Sequence, residues 1–340
     1  MASIGAPALD PMALHKKAIV IDGLIFSKWS RAVFEEMRRG GITAANCTCS
    51  VWEGFAATMK NVAEWKTLLR ENADMILQVY SAADIRLAKA EGKVGIILGW
   101  QNSCGIDDNL AYLSLFHELG LRIVQVTYNT QNASGSGCLE TRDSGLSDFG
   151  RELITELNRL GILIDLSHAG LKTVEDTILF SKRPVCYTHC APYALLQHPR
   201  NKTDEQLRFM VDHGGFVGAS TYPVFLPKSN DTTVDDCVEA IEHMVNVCGE
   251  NNVGVGTDFT QDQDHAFFDW VARDKGSARR VLIRRDGLPK FPAGFERLSE
   301  FSGLTTAMAR RGWSESRIEK VIGGNWLRFL DMVWANDGTR

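Results

Sequence analysis

The chain has 340 residues, 44% of them hydrophobic and 23% charged, with a formal net charge of −5. That length and apolar content are ample for one large core, and a slightly acidic chain without basic runs excludes a nucleic-acid-binding surface. No apolar run approaches the ~18 residues of a spanning helix. The opening stretch MASIGAPALDPMALHKK lacks a secretory h-region. The expected setting is therefore cytoplasmic, with no membrane partner. Eight cysteines are scattered without zinc-ribbon spacing and read as reduced thiols packed as small hydrophobes.

In chain order, short apolar β-branched runs recur at AIVIDG (18–23), GITAANCTCSV (41–51), VGIILGW (94–100), LRIVQVTYN (121–129), GILIDLSH (161–168), PVCYTHC (184–190), GGFVGAS (214–220) and NVGVGTDF (252–259). Such unbroken runs suit strands covered on both faces, as in a parallel sheet. Between them lie amphipathic helical patterns, for example at 30–41, 109–120, 148–161 and 233–249. Gly120, Gly161 and Gly214 stand as stop signals before the next strand. Further helices are expected at about 294–311 and 315–334. Eight strand–helix alternations predict a single (β/α)8 TIM barrel over 1–340, with the helices of 294–334 packed on it. A doubly wound open sheet is the second choice, disfavoured because DGLIFSKW is no glycine-rich phosphate turn.

In a barrel, the chemistry belongs at the C-terminal ends of the strands. Those ends supply Asp22, then Leu24 and Phe26; Cys47, Cys49 and Ser50; Trp100 and Gln101; Tyr128 and Asn129; Asp165, Ser167 and His168; Tyr187, His189 and Cys190; Ser220 to Tyr222; and Thr257 and Asp258. One histidine ending a strand is most simply a hydrogen-bonded core residue. Two on neighbouring strands, His168 and His189, together with Asp258, point to a metal site with an open position for water, and this donor set suits zinc. Asp258 is then the proton shuttle. Arg200, in the loop after the sixth strand, fits either a substrate carboxylate or a structural role. His265, in TQDQDHAFFDW, fits either a lid or late metal ligand, or a solvated loop with an aromatic anchor.

The segments GLSDFGRELITELNRLGILIDLSHAG, RPVCYTHC, HPRNKTDEQLR, VGVGTDF and RGWSESRIEKVIGGNWLRF resemble the membrane (renal) dipeptidase family from about residue 16 onward. The resemblance implies a (β/α)8 barrel of the amidohydrolase type that hydrolyses dipeptides with two zinc ions. It assigns His168 and His189 to one metal, Asp258 to the other metal and the proton, and Arg200 to the substrate carboxylate. Family members are often homodimers. Four positions depart from the family pattern. Leu24 and Phe26 stand where relatives carry His-x-Asp on the first strand, Gln101 falls where the bridging glutamate would be, and Tyr128 replaces a substrate-contacting histidine. A neutral amide is a weak ligand, and it removes charge that helps hold two cations together.

The expectation is therefore a metallohydrolase acting on a dipeptide or similar amide with a single zinc or other divalent ion. His168 and His189 are its ligands, with Gln101 and Asp258 as further candidates. Asp258 and Tyr128 are the catalytic candidates. Arg200, Tyr128, Asn129, Leu24, Phe26 and Trp100 are expected to contact a carboxylate-bearing substrate. The alternative is an inactive, small-molecule-binding relative on the same barrel. Asp22 is expected to be a structural hydrogen-bonding residue beside the site.

Overall fold

The computed structural model describes residues 9–282 and 287–335. Nine strands form one sheet: β1 (Ile21–Ile25), β2 (Ala44–Ser50), β3 (Ile76–Gln78), β4 (Val94–Trp100), β5 (Leu121–Gln125), β6 (Leu163–Asp165), β7 (Cys186–Cys190), β8 (Phe216–Ala219) and β9 (Val253–Val255). All pairings are parallel in the order β2-β1-β9-β8-β7-β6-β5-β4-β3, and a direct β2–β4 pairing closes the ring. Eight of these strands are the eight apolar runs, and the result is a closed (β/α)8 barrel. The additional strand, β3, lies along the first half of β4 (Ile76↔Val94 to Gln78↔Ile96), where β5 reaches only the second half (Leu98↔Leu121 to Trp100↔Val124).

One end of the barrel is plugged. Trp326, Phe329, Leu330 and Val333 of the helix Asn325–Trp334 pack against Ile21, Ala44, Ile97, Ile123, Leu163, Cys186 and Phe216, the lower inward layer of the strands. Trp326 is 1% exposed and its indole N–H donates to the Val255 carbonyl at 2.9 Å. The expected helix of 315–334 is interrupted at Lys320–Gly324, where Gly323 packs on the Ile19 carbonyl so closely that a Cβ would lie 2.3 Å from it. The expected helix of 294–311 is regular only over Ser302–Arg310. With that end filled by apolar side chains, the polar strand ends are gathered at the other.

All eight cysteines are free. Among the described residues no helix is long and apolar enough to cross a membrane.

Candidate active site

Two buried carboxylates stitch neighbouring strand ends together in the same way. Asp165 accepts from Ser167 N (2.9 Å) and Oγ (2.6 Å) on its own strand end, and from Thr188 N (3.0 Å) and Oγ1 (2.6 Å) on β7. Asp22 accepts from Leu24 N (3.1 Å), Thr257 N (2.8 Å) and Thr257 Oγ1 (2.5 Å) across β1 and β9. Burial raises both carboxyl groups, Asp22 to about 7, although these hydrogen bonds pull the other way. Asp22 is thus the structural residue expected, and Asp165 is its counterpart across the barrel.

The Asp165 network fixes a histidine tautomer. The Thr188 hydroxyl donates to Asp165, so its oxygen accepts from His189 Nδ1–H at 2.7 Å. Asn129 Oδ1 likewise accepts from His168 Nδ1–H at 2.7 Å. Both residues are buried. Burial, and then the nearby Arg200 cation, push both well below the ordinary imidazole pKa, so both are neutral. Each therefore has its one proton on Nδ1 and a lone pair on Nε2, and the two Nε2 atoms face each other at 2.9 Å. Two lone pairs at that distance repel unless a cation lies between them. The separation is close to the ~3.3 Å expected of two imidazole nitrogens on one tetrahedral zinc. Carbonyl and hydroxyl acceptors behind the rings are the usual outer support of metal-binding histidines. The pair fits one divalent cation.

A cavity of about 40 Å³ opens beside the pair, lined by Gln101, Tyr128, His168 and Asp258 and walled by Phe26, Phe267, Phe268 and Val271. Gln101 uses its amide N–H on Thr48 Oγ1 (3.0 Å), which leaves its amide oxygen as the group it can offer. Tyr128 is stacked on His168 (centroids 4.2 Å, 24°) and meets the face of Trp52 edge-on (5.1 Å). Asp258 is half-buried with φ +60°, a conformation Asp tolerates better than most residues. Phe26 packs edge-on against Phe267 (4.9 Å), and the two rings make that side of the cavity an aromatic wall. Among the described residues no group of three or more His, Cys, Asp or Glu side chains could hold a metal.

Three expected substrate contacts sit elsewhere. Trp100 packs on Phe116 (4.5 Å, 80°) in the layer between sheet and helices, because side chains alternate along β4 and Gln101 takes the inward position. Leu24 is 1% exposed and does not line the cavity. Asn129, 1% exposed with φ +59°, orients His168 instead of meeting solvent. His265 is exposed at the start of the helix His265–Val271; that loop's contribution is its aromatic residues.

Arg200 is 2% exposed. Its Nη2 donates to the His189 carbonyl at 2.6 Å, while Nε and Nη1 have no partner and Phe225 lies over the guanidinium at 5.7 Å. Lys202 escaped the sequence reading. It is 1% exposed, donates to the Ala169 carbonyl at 3.3 Å, sits 4.9 Å over the Tyr187 ring, and is lowered to about 8 by burial. Its only signal was a position two residues past Arg200 in HPRNKT.

The sequence profile of the membrane dipeptidase family (peptidase family M19) matches residues 27–269 and 284–337. The chain belongs to the membrane dipeptidase family. It is 32% identical over 267 residues to an uncharacterized dipeptidase of Schizosaccharomyces pombe, and 29% identical over 266 residues to the dipeptidase aclJ of Aspergillus oryzae. Each match covers 76% of this chain but 57% of the relative, so the chain spans little more than half the length of those dipeptidases. A crystal structure of an amidohydrolase from Pseudomonas aeruginosa is 52% identical and superposes with a TM-score of 0.94, over 96% of this chain and 100% of that one. A metallo peptidase from Rhodobacter sphaeroides, solved with a phosphinate mimic of L-Ala-D-Ala, shares the fold at 22% identity and a TM-score of 0.79, over 94% and 100% of the two chains.

Proposed function

We propose that this member of the membrane dipeptidase family is a metal-dependent hydrolase. It cleaves the amide bond of a dipeptide or similar carboxylate-bearing amino-acid derivative, and it uses a single cation, with zinc the expected ion. The observation that carries the reading is the meeting of two neutral imidazoles, Nε2 to Nε2 at 2.9 Å, with both Nδ1 protons already committed to acceptors. His168 and His189 would hold the ion, and Gln101 and Asp258 lie on the adjoining cavity wall. Bound there, a divalent cation would lower the pKa of water toward ~7 and polarise a carbonyl.

The remaining roles fall to the chain's own groups. Asp258 is the carboxylate beside the cavity and takes a proton from the attacking water, then returns it to the leaving nitrogen. Tyr128, held by its stacking on His168, offers a phenolic donor to the carbonyl oxygen as charge develops there. Arg200 is a buried cation with two guanidinium nitrogens free, and it takes the substrate carboxylate. Phe26 and Phe267 keep water and a second cation away from the first-strand side.

One observation favours a second reading, a non-catalytic small-molecule-binding protein: no three-residue cluster of charged or imidazole ligands exists among the described residues. Hydrolysis separates the two. The purified protein, supplied with zinc, is expected to release amino acids from Ala-D-Ala-type dipeptides, and Asp258→Asn is expected to slow kcat by ~10²-fold or more. Absence of turnover with every dipeptide offered would favour the binding protein.

A further inference from the structure

The cavity at the histidine pair is small, about 40 Å³. A bulky substrate side chain therefore needs further room beside it. A second cavity of about 540 Å³ adjoins it, with Tyr222, Phe225 and Leu282 shared between the two linings. Its size is that of a site for a drug-sized molecule. Its wall is mostly apolar, including Leu139, Leu196, Val224 and Val281, and among its described lining residues there is no Lys, Arg, Asp or Glu. The His198 imidazole among them is lowered by burial and then by Arg200, which favours its neutral form. An uncharged apolar group is what such a wall accepts without a desolvation penalty.

Phe225 ties both cavities to Arg200. Its ring lies over the Arg200 guanidinium at 5.7 Å and against His198 at 5.2 Å, and it lines both cavities. Arg200 itself lines neither cavity, and Phe225 is the side chain that connects its guanidinium to the larger one.

We infer that the 540 Å³ cavity is the side-chain subsite for the residue that carries the substrate carboxylate, and that it selects a large apolar side chain, aromatic or long aliphatic. This rests on the carboxylate role given to Arg200 under the proposed function. It goes further by naming the substrate class: amides whose carboxyl-terminal residue is bulky and uncharged. Leu196 and Val224 are the specificity residues, both half-buried on the cavity wall.

The test is calorimetric binding of N-acetyl-phenylalanine and N-acetyl-alanine to the zinc-supplied full chain, which needs no turnover. The phenylalanine compound is expected to bind ~10-fold or more tightly than the alanine one, the least that burying an aromatic side chain should give. Filling the cavity with Leu196→Trp, or independently with Val224→Trp, is expected to bring that ratio to near one. Equal affinities in the wild type, or a ratio unchanged in both variants while circular dichroism shows them folded, would overturn the subsite. Selective binding without dipeptide hydrolysis would leave the subsite standing and remove the proposed activity. Hydrolysis without selectivity would do the reverse.

Discussion

Asn129 fixes the tautomer of a buried histidine. Without its Oδ1 acceptor, His168 could move its proton to Nε2 and hydrogen-bond His189, and the lone pair aimed at a cation would be lost. Supporting groups of this kind are typically worth 10–100-fold in metal affinity. Asn129→Ala is accordingly expected to weaken zinc binding by ~10–100-fold in a competition titration with a chromogenic chelator. Unchanged affinity would show that the tautomer is fixed some other way. Asp22 carries a pH signature. Its carboxyl is raised from 3.8 to about 7 by burial, so between those values the folded protein holds a proton that the unfolded chain has released. Its contribution to stability is full below the unfolded pKa and is lost as pH rises through the folded one. Denaturant midpoints should therefore fall from pH 4 toward pH 7, and Asp22→Asn should flatten that part of the profile. A wild-type profile that rises across this window would contradict the assignment.

At the scale of elements, β7 reaches into the barrel. The Thr188 carbonyl is met by three glycines from the other strands: a Cβ at Gly23 would lie 2.4 Å from that oxygen, and at Gly218 or Gly256 only 1.9 Å from it. Backbone atoms are at fault in each case, so no rotamer change relieves the clash. Gly218→Ala is expected to cost ~1–3 kcal/mol or more in denaturant unfolding, as overpacking of a rigid core does. A cost near zero would mean that β7 can retreat. The strands themselves were legible because their apolar runs are continuous and glycine-stopped. β3 was not: it has three residues, two of them only half-buried, and leaves no periodic trace. The inward or outward sense of a strand's last residues was legible only in part. His168, Asp258 and Gln101 line the cavity and His189 meets His168 beside it, whereas Trp100 is one position out of phase with Gln101 and faces the helices. Alternation was plain in the sequence; which residue began it depended on the barrel's register. The aromatic wall from Phe267 and Phe268, the subsite around Phe225 and the buried Lys202 come from loops, where no period connects neighbours in sequence to neighbours in space.

Taken whole, the molecule is a barrel with one end filled by Trp326 and its apolar neighbours, which leaves the polar chemistry to the other. At that end, two neutral histidines, His168 and His189, meet Nε2 to Nε2 at 2.9 Å with both Nδ1 protons committed to acceptors. Beside them the cavity wall is the aromatic pair Phe26 and Phe267 together with the neutral amide of Gln101. The central claim is that this arrangement holds one cation and not two. Metal per chain, measured by inductively coupled plasma mass spectrometry on protein purified without chelators, tests it most directly. The account predicts about one zinc or other divalent ion per wild-type chain and near none for His168→Ala; two ions per wild-type chain, or one that survives His168→Ala, would contradict it.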